Sequence, residues 1–511
     1  MPESSYNIKR VAKNTLILYV RMFFIMLVSL YTTRVVLNTL GVEDYGIYNV
    51  VGGFVGMFNI LTSSLSAAIS RFITFGLGKR DLEKLQRIYS TAIIIQVAMA
   101  IIVGLLIEGV GIWYLHNKIN IPAGRLNAAF WVLHCSVITF GLGLLSVPYN
   151  AEIVAHEKMD TYAYFSILDA TLALAIVFIL KKVPFDKLIL YAALCMGASL
   201  LMRFLYALYC RKHFEECRFK LAFEKDLLKE MGSFAGWNFL TQFVWIVNTV
   251  GASLLVNSFF GVACNAAIGV ANQVQGAVKK LAGNFIAAIN PQITKTYAEG
   301  DLSSMHSLIF RGTRLYSYLL LIIAIPAFLE MPLLLDLWLK NVPEKAILFA
   351  RMAVIATFVN AIGGPLVTAQ LATGNIKRYQ IVMFSCGIWV IPLTFLAYKF
   401  GHPVEWYYYI FIFVYLIVLF VRIPLVKNHL QLPWKEYCLD VLLRVAVVAI
   451  LGILVPLAIH NSLEESLIRL ALVLVLGSLA FGLIVWLVGI KPEERHFAQD
   501  FIKQRIKTLF K

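Results

Sequence analysis

Apolar runs long enough to cross a lipid bilayer recur along the whole sequence. A spanning helix needs about 20 predominantly apolar residues, and the 511-residue chain offers fourteen such runs. Hydrophobic residues make up 60% of the chain and charged residues only 14%, against about 25% charged in soluble domains. We therefore expect an all-α polytopic membrane protein with 14 transmembrane helices, because backbone groups in lipid must be satisfied internally. The runs lie near 15–37, 45–67, 89–110, 126–148, 161–180, 188–210, 232–258, 262–290, 313–338, 346–372, 380–398, 405–426, 437–459 and 465–488.

Basic residues orient these spans. The chain carries 45 Lys and Arg against 29 Asp and Glu, a net charge of +16. With both termini inside, the inside segments hold 27 of the basic residues and the outside loops hold 8. Because cytoplasmic loops of membrane proteins are rich in Lys and Arg, both termini are expected to be cytoplasmic. The same bias explains the net charge, so we expect no nucleic-acid partner.

An internal repeat divides the spans into two sets. Sliding the chain by 220 residues aligns 41–82 with 261–302 without a gap, and 12 of the 42 positions are identical, among them Gly41 with Gly261. The second span therefore matches the eighth, and spans 1–6 match spans 7–12. Six is an even number, so both copies start on the same side, as in transporters built from parallel repeats.

The repeat predicts two six-helix lobes with two extra helices at the C-terminal end. The expected segments are an N-lobe at 1–210, an amphipathic cytoplasmic linker at 211–231, a C-lobe at 232–428, the two additional spans at 429–490, and a basic amphipathic tail at 491–511. The tail either lies on the anionic inner leaflet as a helix or frays.

A stripe of small and polar residues runs along the second span, and its spacing of alternately three and four residues keeps it on one helix face. The stripe consists of Asn49, Gly52, Gly56, Asn59, Ser63, Ser66 and Ser70. The matching positions of the eighth span are again mostly small or polar, namely Gly269, Asn272, Gly276, Lys279, Gly283, Ile286 and Asn290. Such a face serves either close helix packing or a water-filled cavity, and the amides in both spans favour the cavity. The polar side chains expected to line it are Asn49, Asn59 and Ser63 in the second span and Asn272 and Gln275 in the eighth.

Two lysines lie close to the middle of the eighth span. Lys279 and Lys280 are too deep to reach the headgroups easily, and a charge there costs about 2.5–3.5 kcal/mol. Asp169 in the fifth span is the one centrally placed acid. Either Asp169 pairs with a lysine, or the cavity is left positive and receives an anion. Lys279 occupies the position that matches Asn59 in the repeat.

Three segments of the chain carry a family resemblance, VVLNTLGVEDYGIYNVVGGFVGMFN (35–59), SVPYNAEIVAHEKMDTYAYFSILDATLAL (146–174) and LLVNSFFGVACNAAIGVANQVQGAVKKLAGNFIAAINPQITKTYAEGD (254–301). At these residues the chain resembles the O-antigen-type flippases of the multidrug/oligosaccharidyl-lipid/polysaccharide exporter superfamily. The resemblance spans nearly the whole chain and includes the six-plus-six-plus-two layout.

The resemblance implies a bacterial inner-membrane protein that moves an undecaprenyl-pyrophosphate-linked oligosaccharide from the cytoplasmic to the periplasmic leaflet. It also implies alternating access through a central cavity with basic residues on the first, second and eighth spans. The positions that fit an anionic headgroup are Arg21, Arg34, Arg71, Lys279 and Lys280. Where relatives carry an arginine in the middle of the second span, this chain has Asn59. Asp169 is a candidate for ion coupling.

No cofactor or metal is expected. The seven cysteines are scattered without a CxxC pair, and the nine histidines show no ligand spacing. The expected partners are the lipid-linked oligosaccharide and membrane lipids, with glycan polymerase machinery as a further partner, and the protein is expected to be a monomer.

Three other functions stay open. A cation-coupled multidrug exporter of the same superfamily would need an acidic or aromatic cavity, yet the two central lysines outnumber the single acid. A peptidoglycan-precursor flippase shares the architecture and the chemistry. A membrane polysaccharide polymerase or glycosyltransferase usually needs a sizeable outer loop, and no predicted outside loop exceeds about 15 residues, so we expect a transporter and not an enzyme.

Overall fold

The computed structural model describes residues 3–117, 123–218, 224–339, 342–492 and 494–495, and within these ranges the fold contains helices but no strands. The all-α prediction is therefore confirmed for the described part of the chain. The α-helices are Glu3–Gly56 (α1), Asn59–Lys79 (α2), Leu82–Asn117 (α3), Leu126–Ala155 (α4), Met159–Lys182 (α5), Lys187–His213 (α6), Lys225–Glu299 (α7), Leu302–Leu329 (α8), Met331–Trp338 (α9), Ala346–Ala361 (α10), Gly364–Ala372 (α11), Lys377–Gly387 (α12), Val390–Lys399 (α13), Trp406–Leu430 (α14), Trp434–Tyr437 (α15), Arg444–Ser462 (α16) and Leu467–Ile484 (α17).

Twelve helical stretches of the described chain are long and apolar enough to cross a membrane. A thirteenth candidate is the pair Asp44–Gly56 and Leu61–Lys79, which is bent by 47°. The run at 262–290 is helical within α7 but is not among these candidates. The count of fourteen spans therefore stays a prediction, and the polar residues of this run are the reason that hydropathy does not mark it.

The internal repeat is visible in the backbone. Gly41 kinks α1 at φ 80° and ψ 169°, and Gly261, which is 220 positions later, kinks α7 at φ 82° and ψ −177°. This combination is sterically open to glycine alone. The same backbone conformation at two identical, matched residues supports the parallel repeat that the sequence predicts.

The turn at the end of each copy repeats as well. Arg80 and its match Gly300 are both left-handed, with φ 56° and 82°. Each is followed by an aspartate that caps the next helix, since Asp81 Oδ1 accepts from the Lys84 amide at 3.0 Å and Asp301 Oδ1 accepts from the Ser304 amide at 2.9 Å. A side-chain oxygen at this position satisfies an amide that has no partner within the helix.

The helices form two compact units. The first unit is Ala12–Gln242, and the second combines the residues up to Val11 at the start of α1 with the chain from Phe243 of α7 onward. In the first unit α4 packs against α2, α3 and α6, and Ile107, Leu133 and Leu144 in this core are fully buried. The predicted segment boundaries at 210, 231, 428 and 490 stay predictions, and the tail from residue 496 lies outside the described residues.

Ion pairs link helices of the first unit at the side predicted to be periplasmic. Arg125, which precedes α4, forms ion pairs with Asp44 of α1 and with Asp186, the residue before α6. Burial raises the pKa of Asp186, but hydrogen bonds from the Ile189 amide and from Arg125 outweigh burial, so the net pKa is lowered. The arginine therefore links α1, α4 and α6 through charge-assisted hydrogen bonds to two carboxylates.

A second ionic cluster ties the C-terminal helices to the second unit. The buried carboxylate of Glu330, between α8 and α9, accepts hydrogen bonds from Arg469 of α17 at 2.8 and 3.1 Å and pairs with His460 of α16 at 2.8 Å. Because a buried charge needs a hydrogen-bonded partner of opposite sign, this cluster explains how the two additional spans are held to the lobe.

The kink at Gly261 gives the first prediction. Gly261→Ala should lower the unfolding free energy by about 1–3 kcal/mol, because alanine does not adopt this backbone conformation without strain. Gly236→Ala is the matched control in the same helix, where an added Cβ has no neighbour within 4 Å and the substitution favours the helix. The thermal midpoint of the purified protein in detergent measures both. Equal midpoints for the two variants would show that the kink is dispensable.

Candidate functional site

Lys279 lies on the face of an aromatic side chain of its own unit. Its Nζ is 3.3 Å from the ring centroid of Trp245, which also lies in α7. The indole ring packs edge-on against Phe411 and Tyr415 of α14. Among the described residues of this unit, no carboxylate forms an ion pair with Lys279. The aromatic cluster therefore holds the ammonium group without cancelling its charge.

The energies show that this contact compensates only part of the cost of the charge. A cation–π contact contributes about 0.5–2 kcal/mol, whereas a lysine at the centre of a bilayer costs about 2.5–3.5 kcal/mol. Lys279 is half-buried, so the residue is not fully enclosed by the protein. Pairing of a central lysine with Asp169, the alternative to a positively charged cavity, stays a prediction, because Asp169 belongs to the first unit and Lys279 to the second.

The stripe of the second span lines a cavity in the first unit. The cavity has a volume of about 310 Å³, and Gly52, Gly56 and Asn59 of the predicted stripe lie on its wall. Ser136 and Thr139 of α4 add hydroxyl groups to the lining. The cavity is thus uncharged, with a few polar groups in a mostly apolar lining, and its size is at the lower end of the range for small-molecule sites, about 300–1,000 Å³.

The remaining predicted lining residues differ in their positions. Ser63 is exposed on α2, Asn272 is exposed on α7 and Gln275 is half-buried there, while the side chain of Asn49 lies outside the described part. Within α7, the stripe residue Asn290 accepts a hydrogen bond from Thr368 of α11 at 2.8 Å. Part of the stripe therefore serves packing between helices, which is the alternative to a cavity.

Arg21 packs on α5 within the first unit. Its Nη1 donates to Ser166 Oγ at 3.3 Å, and its guanidinium group lies over the ring of Tyr162, 4.8 Å from the centroid. Asp169 lies one turn beyond Ser166 and is exposed. A role for Asp169 in ion coupling stays a prediction.

Arg71 and Arg34 occupy contrasting environments. The guanidinium group of Arg71 is 9% exposed and lies 4.7, 4.8 and 5.6 Å from the ring centroids of Phe72, Phe75 and Phe234. Arg34 is exposed on α1, and Lys280 is exposed on α7. A single site that includes all five basic residues stays a prediction.

Two contributors to these sites were missed in the sequence. Trp245 precedes Lys279 by 34 residues in α7, beyond the range in which helix periodicity relates side chains. The hydroxyl groups of Ser136 and Thr139 come from α4, which has the sequence of an ordinary apolar span. Their spacing of three residues on one helix face was the available signal.

A double-mutant cycle tests the contact between Lys279 and Trp245. Trp245→Leu and Lys279→Met each remove the cation–π contact, and the coupling energy between the two changes should be about 0.5–2 kcal/mol. Thermal midpoints of the wild type, both single variants and the double variant provide the values. Strictly additive effects would mean that the ring does not hold the ammonium group.

Comparison with known proteins agrees with this architecture. The sequence profile of the family described as "Polysaccharide biosynthesis protein" matches residues 11–297, which is more than half of the chain. The "Uncharacterized membrane protein EpsK" of Bacillus subtilis (strain 168) is 20% identical over 305 residues. The match covers 59% of this chain and 59% of that protein.

Solved structures of similar fold include MATE proteins and other transporters of the MOP superfamily. A structure described as "Crystal structure of MATE in the bent conformation" has a TM-score of 0.73 at 11% identity and covers 85% of this chain and 99% of its own. An outward-facing multidrug resistance MATE family transporter of the MOP superfamily has a TM-score of 0.71 at 11% identity, covering 84% and 98%.

A third neighbour is a MOP superfamily transporter from Pyrococcus furiosus, described by the reverse polarity of its binding pocket. Its TM-score is 0.63 at 12% identity, covering 84% of this chain and 98% of its own. At such low identity these neighbours establish the two-lobed fold and nothing finer. The profile match shows that the chain belongs to the polysaccharide biosynthesis protein family, and its many long apolar helices are those of a multi-pass membrane protein.

Proposed function

We propose that this protein is an exporter of the bacterial inner membrane with both termini in the cytoplasm. It moves an undecaprenyl-pyrophosphate-linked oligosaccharide from the cytoplasmic to the periplasmic leaflet. The observation that carries the proposal is the position of Lys279 on Trp245, without a carboxylate partner among the described residues of its own unit. A pyrophosphate group would be the anionic partner that Lys279 does not have in its own unit, and lysine ammonium groups commonly bind phosphate.

The cavity of the first unit suits the other part of such a substrate. A glycan carries many hydroxyl groups, and each one taken into hydrocarbon without a hydrogen bond costs several kcal/mol. Asn59, Ser136 and Thr139 offer amide and hydroxyl groups that replace water. The proposal therefore assigns neutral polar contacts to the sugars and the cationic contact to the phosphates.

The internal repeat supports alternating access as the mechanism. Transporters with parallel repeats expose their substrate first on one side of the membrane and then on the other. Among the structural neighbours, MATE proteins have been solved in conformations described as bent and straight, so proteins of this fold adopt more than one shape. Glycan polymerase machinery remains a proposed partner, and we propose a monomer as the functional state.

Multidrug export is the second candidate function, because neighbours of the same fold are described as multidrug resistance transporters. The charge of Lys279 argues against it, since a cationic drug would be repelled by an unpaired ammonium group. A change of pocket polarity within this fold has precedent, because the Pyrococcus furiosus transporter is described as having a binding pocket of reverse polarity that suggests a different function.

Replacement of Lys279 tests the proposed function. In a strain that lacks the native gene, Lys279→Ala should reduce glycan at the cell surface by roughly 10- to 100-fold, because hydrogen bonds to a charged group contribute about 1.5–3 kcal/mol. Lys279→Arg keeps the charge and should retain part of the export. Surface glycan is measured by immunoblot and normalised to the amount of exporter in the membrane.

Lys229→Ala provides the matched control, since Lys229 is exposed near the start of the same helix. This variant should export at the wild-type level. If Lys279→Ala exported as much glycan as Lys229→Ala, the lysine would have no part in binding the substrate.

A further inference from the structure

Three side chains of the kind that bind metal ions meet at the C-terminal end of α4. Glu152 and His156 lie one turn apart at this end, and Glu216 lies in a short 3₁₀ helix, Glu215–Cys217, after α6. One ligand atom from each residue lies within 4.8 Å of the others. All three belong to the first unit, on the side predicted to be cytoplasmic.

The imidazole ring lies between the two carboxylates. His156 Nε2 is 2.5 Å from Glu216 Oε1 and 3.8 Å from Glu152 Oε2. The ring stacks on Phe214 with centroids 4.2 Å apart and an interplanar angle of 11°, which fixes its orientation. Two acids and one imidazole are therefore held at the spacing of a small coordination site.

Glu152 is the group that the protein alone leaves unsatisfied. Its carboxylate is fully buried, and neither oxygen has a hydrogen-bond partner among the described residues. A buried carboxylate that accepts no hydrogen bond costs several kcal/mol, and the nearby carboxylate of Glu216, a residue that is 4% exposed, adds repulsion. One imidazolium group compensates at most one of the two negative charges.

A bound proton is the alternative to a metal ion. Protonation of Glu152 removes one charge and lets the new O–H group donate to the carboxylate of Glu216. A divalent cation compensates the negative charges of both carboxylates and is coordinated by the Glu152 oxygens. His156 keeps a quarter of its side chain exposed, at 26%, which leaves a path for an ion and a position for a water ligand.

We propose that Glu152, His156 and Glu216 bind a divalent transition-metal ion, with Zn²⁺ as the first choice. Imidazole with carboxylates suits zinc, whereas calcium and magnesium prefer oxygen ligands alone. In a tetrahedral site with bonds of about 2.0–2.2 Å, neighbouring ligand atoms lie about 3.3 Å apart. The two measured separations bracket this value, so small side-chain rotations complete the site.

Such an ion would join the end of α4 to the segment after α6. These residues are far apart in the sequence, and a metal that binds the folded form alone stabilises it by mass action. The site is independent of which substrate the exporter carries. The sequence gives no sign of a metal site here because Glu216 lies 60 residues after His156, beyond the reach of spacing rules.

The test uses the full-length protein in detergent after removal of any affinity tag. The protein is dialysed against EDTA, incubated with Zn²⁺ and desalted, and its metal content and thermal midpoint are measured. We expect about one Zn²⁺ per chain and a higher midpoint with Zn²⁺ than with EDTA. His156→Ala and Glu216→Gln should each weaken Zn²⁺ binding at least 10-fold, and Mn²⁺ should bind more weakly than Zn²⁺.

Exposed neighbours in the same segment provide the controls. His213→Ala and Glu215→Gln alter a histidine and a glutamate outside the cluster and should bind Zn²⁺ like the wild type. Equal zinc content in wild type and His156→Ala would overturn the proposal. So would a wild-type midpoint that does not respond to Zn²⁺ while Glu152→Gln raises it, since that result would identify an unfavourable buried charge without a metal.

Discussion

The hydrocarbon of a bilayer cannot solvate a charge or accept a hydrogen bond, and this constraint determines most of the structure. Polar groups at depth are therefore matched with a specific neighbour. Glu330 is held by Arg469 and His460, and Lys279 rests on Trp245. A charged group that the protein compensates only in part is a candidate site for a bound ligand of opposite charge. We propose an anionic ligand for Lys279 and a metal cation for Glu152.

The internal repeat explains how one chain provides two kinds of surface. Gly41 and Gly261 give the two copies the same kink, yet the side chains on the matched faces have diverged. Asn59 lines the neutral cavity of the first unit, and the position that matches it is Lys279 in the second. We infer that a duplication produced the two copies of the scaffold. The copies then diverged at this position, with the amide of Asn59 in one and the ammonium group of Lys279 in the other. Under the proposed function, the first contacts sugars and the second contacts phosphates.

The sequence predicts features that depend on neighbouring residues and misses those that depend on distant ones. Hydropathy locates the apolar spans, and the identity of Gly41 and Gly261 reveals the repeat. The spacing of Gly52, Gly56 and Asn59 predicts a cavity wall. The contact of Trp245 with Lys279 and that of Glu216 with His156 cannot be predicted from the sequence, because the residues of each pair are far apart in the chain and meet only in the folded protein. The run at 262–290 stays a predicted span, because its polar residues lower its hydropathy and it is not among the candidate membrane spans of the described chain.

The claim that an anionic headgroup engages the exporter is tested most directly by flipping in reconstituted liposomes. The measurement compares a fluorescent oligosaccharide on a pyrophosphate-linked polyprenyl carrier with the same oligosaccharide on a carrier without phosphate. The account predicts protein-dependent flipping of the pyrophosphate-linked substrate and little flipping of the neutral one. Equal rates for the two substrates would contradict it, because the cationic contact would then contribute nothing to transport.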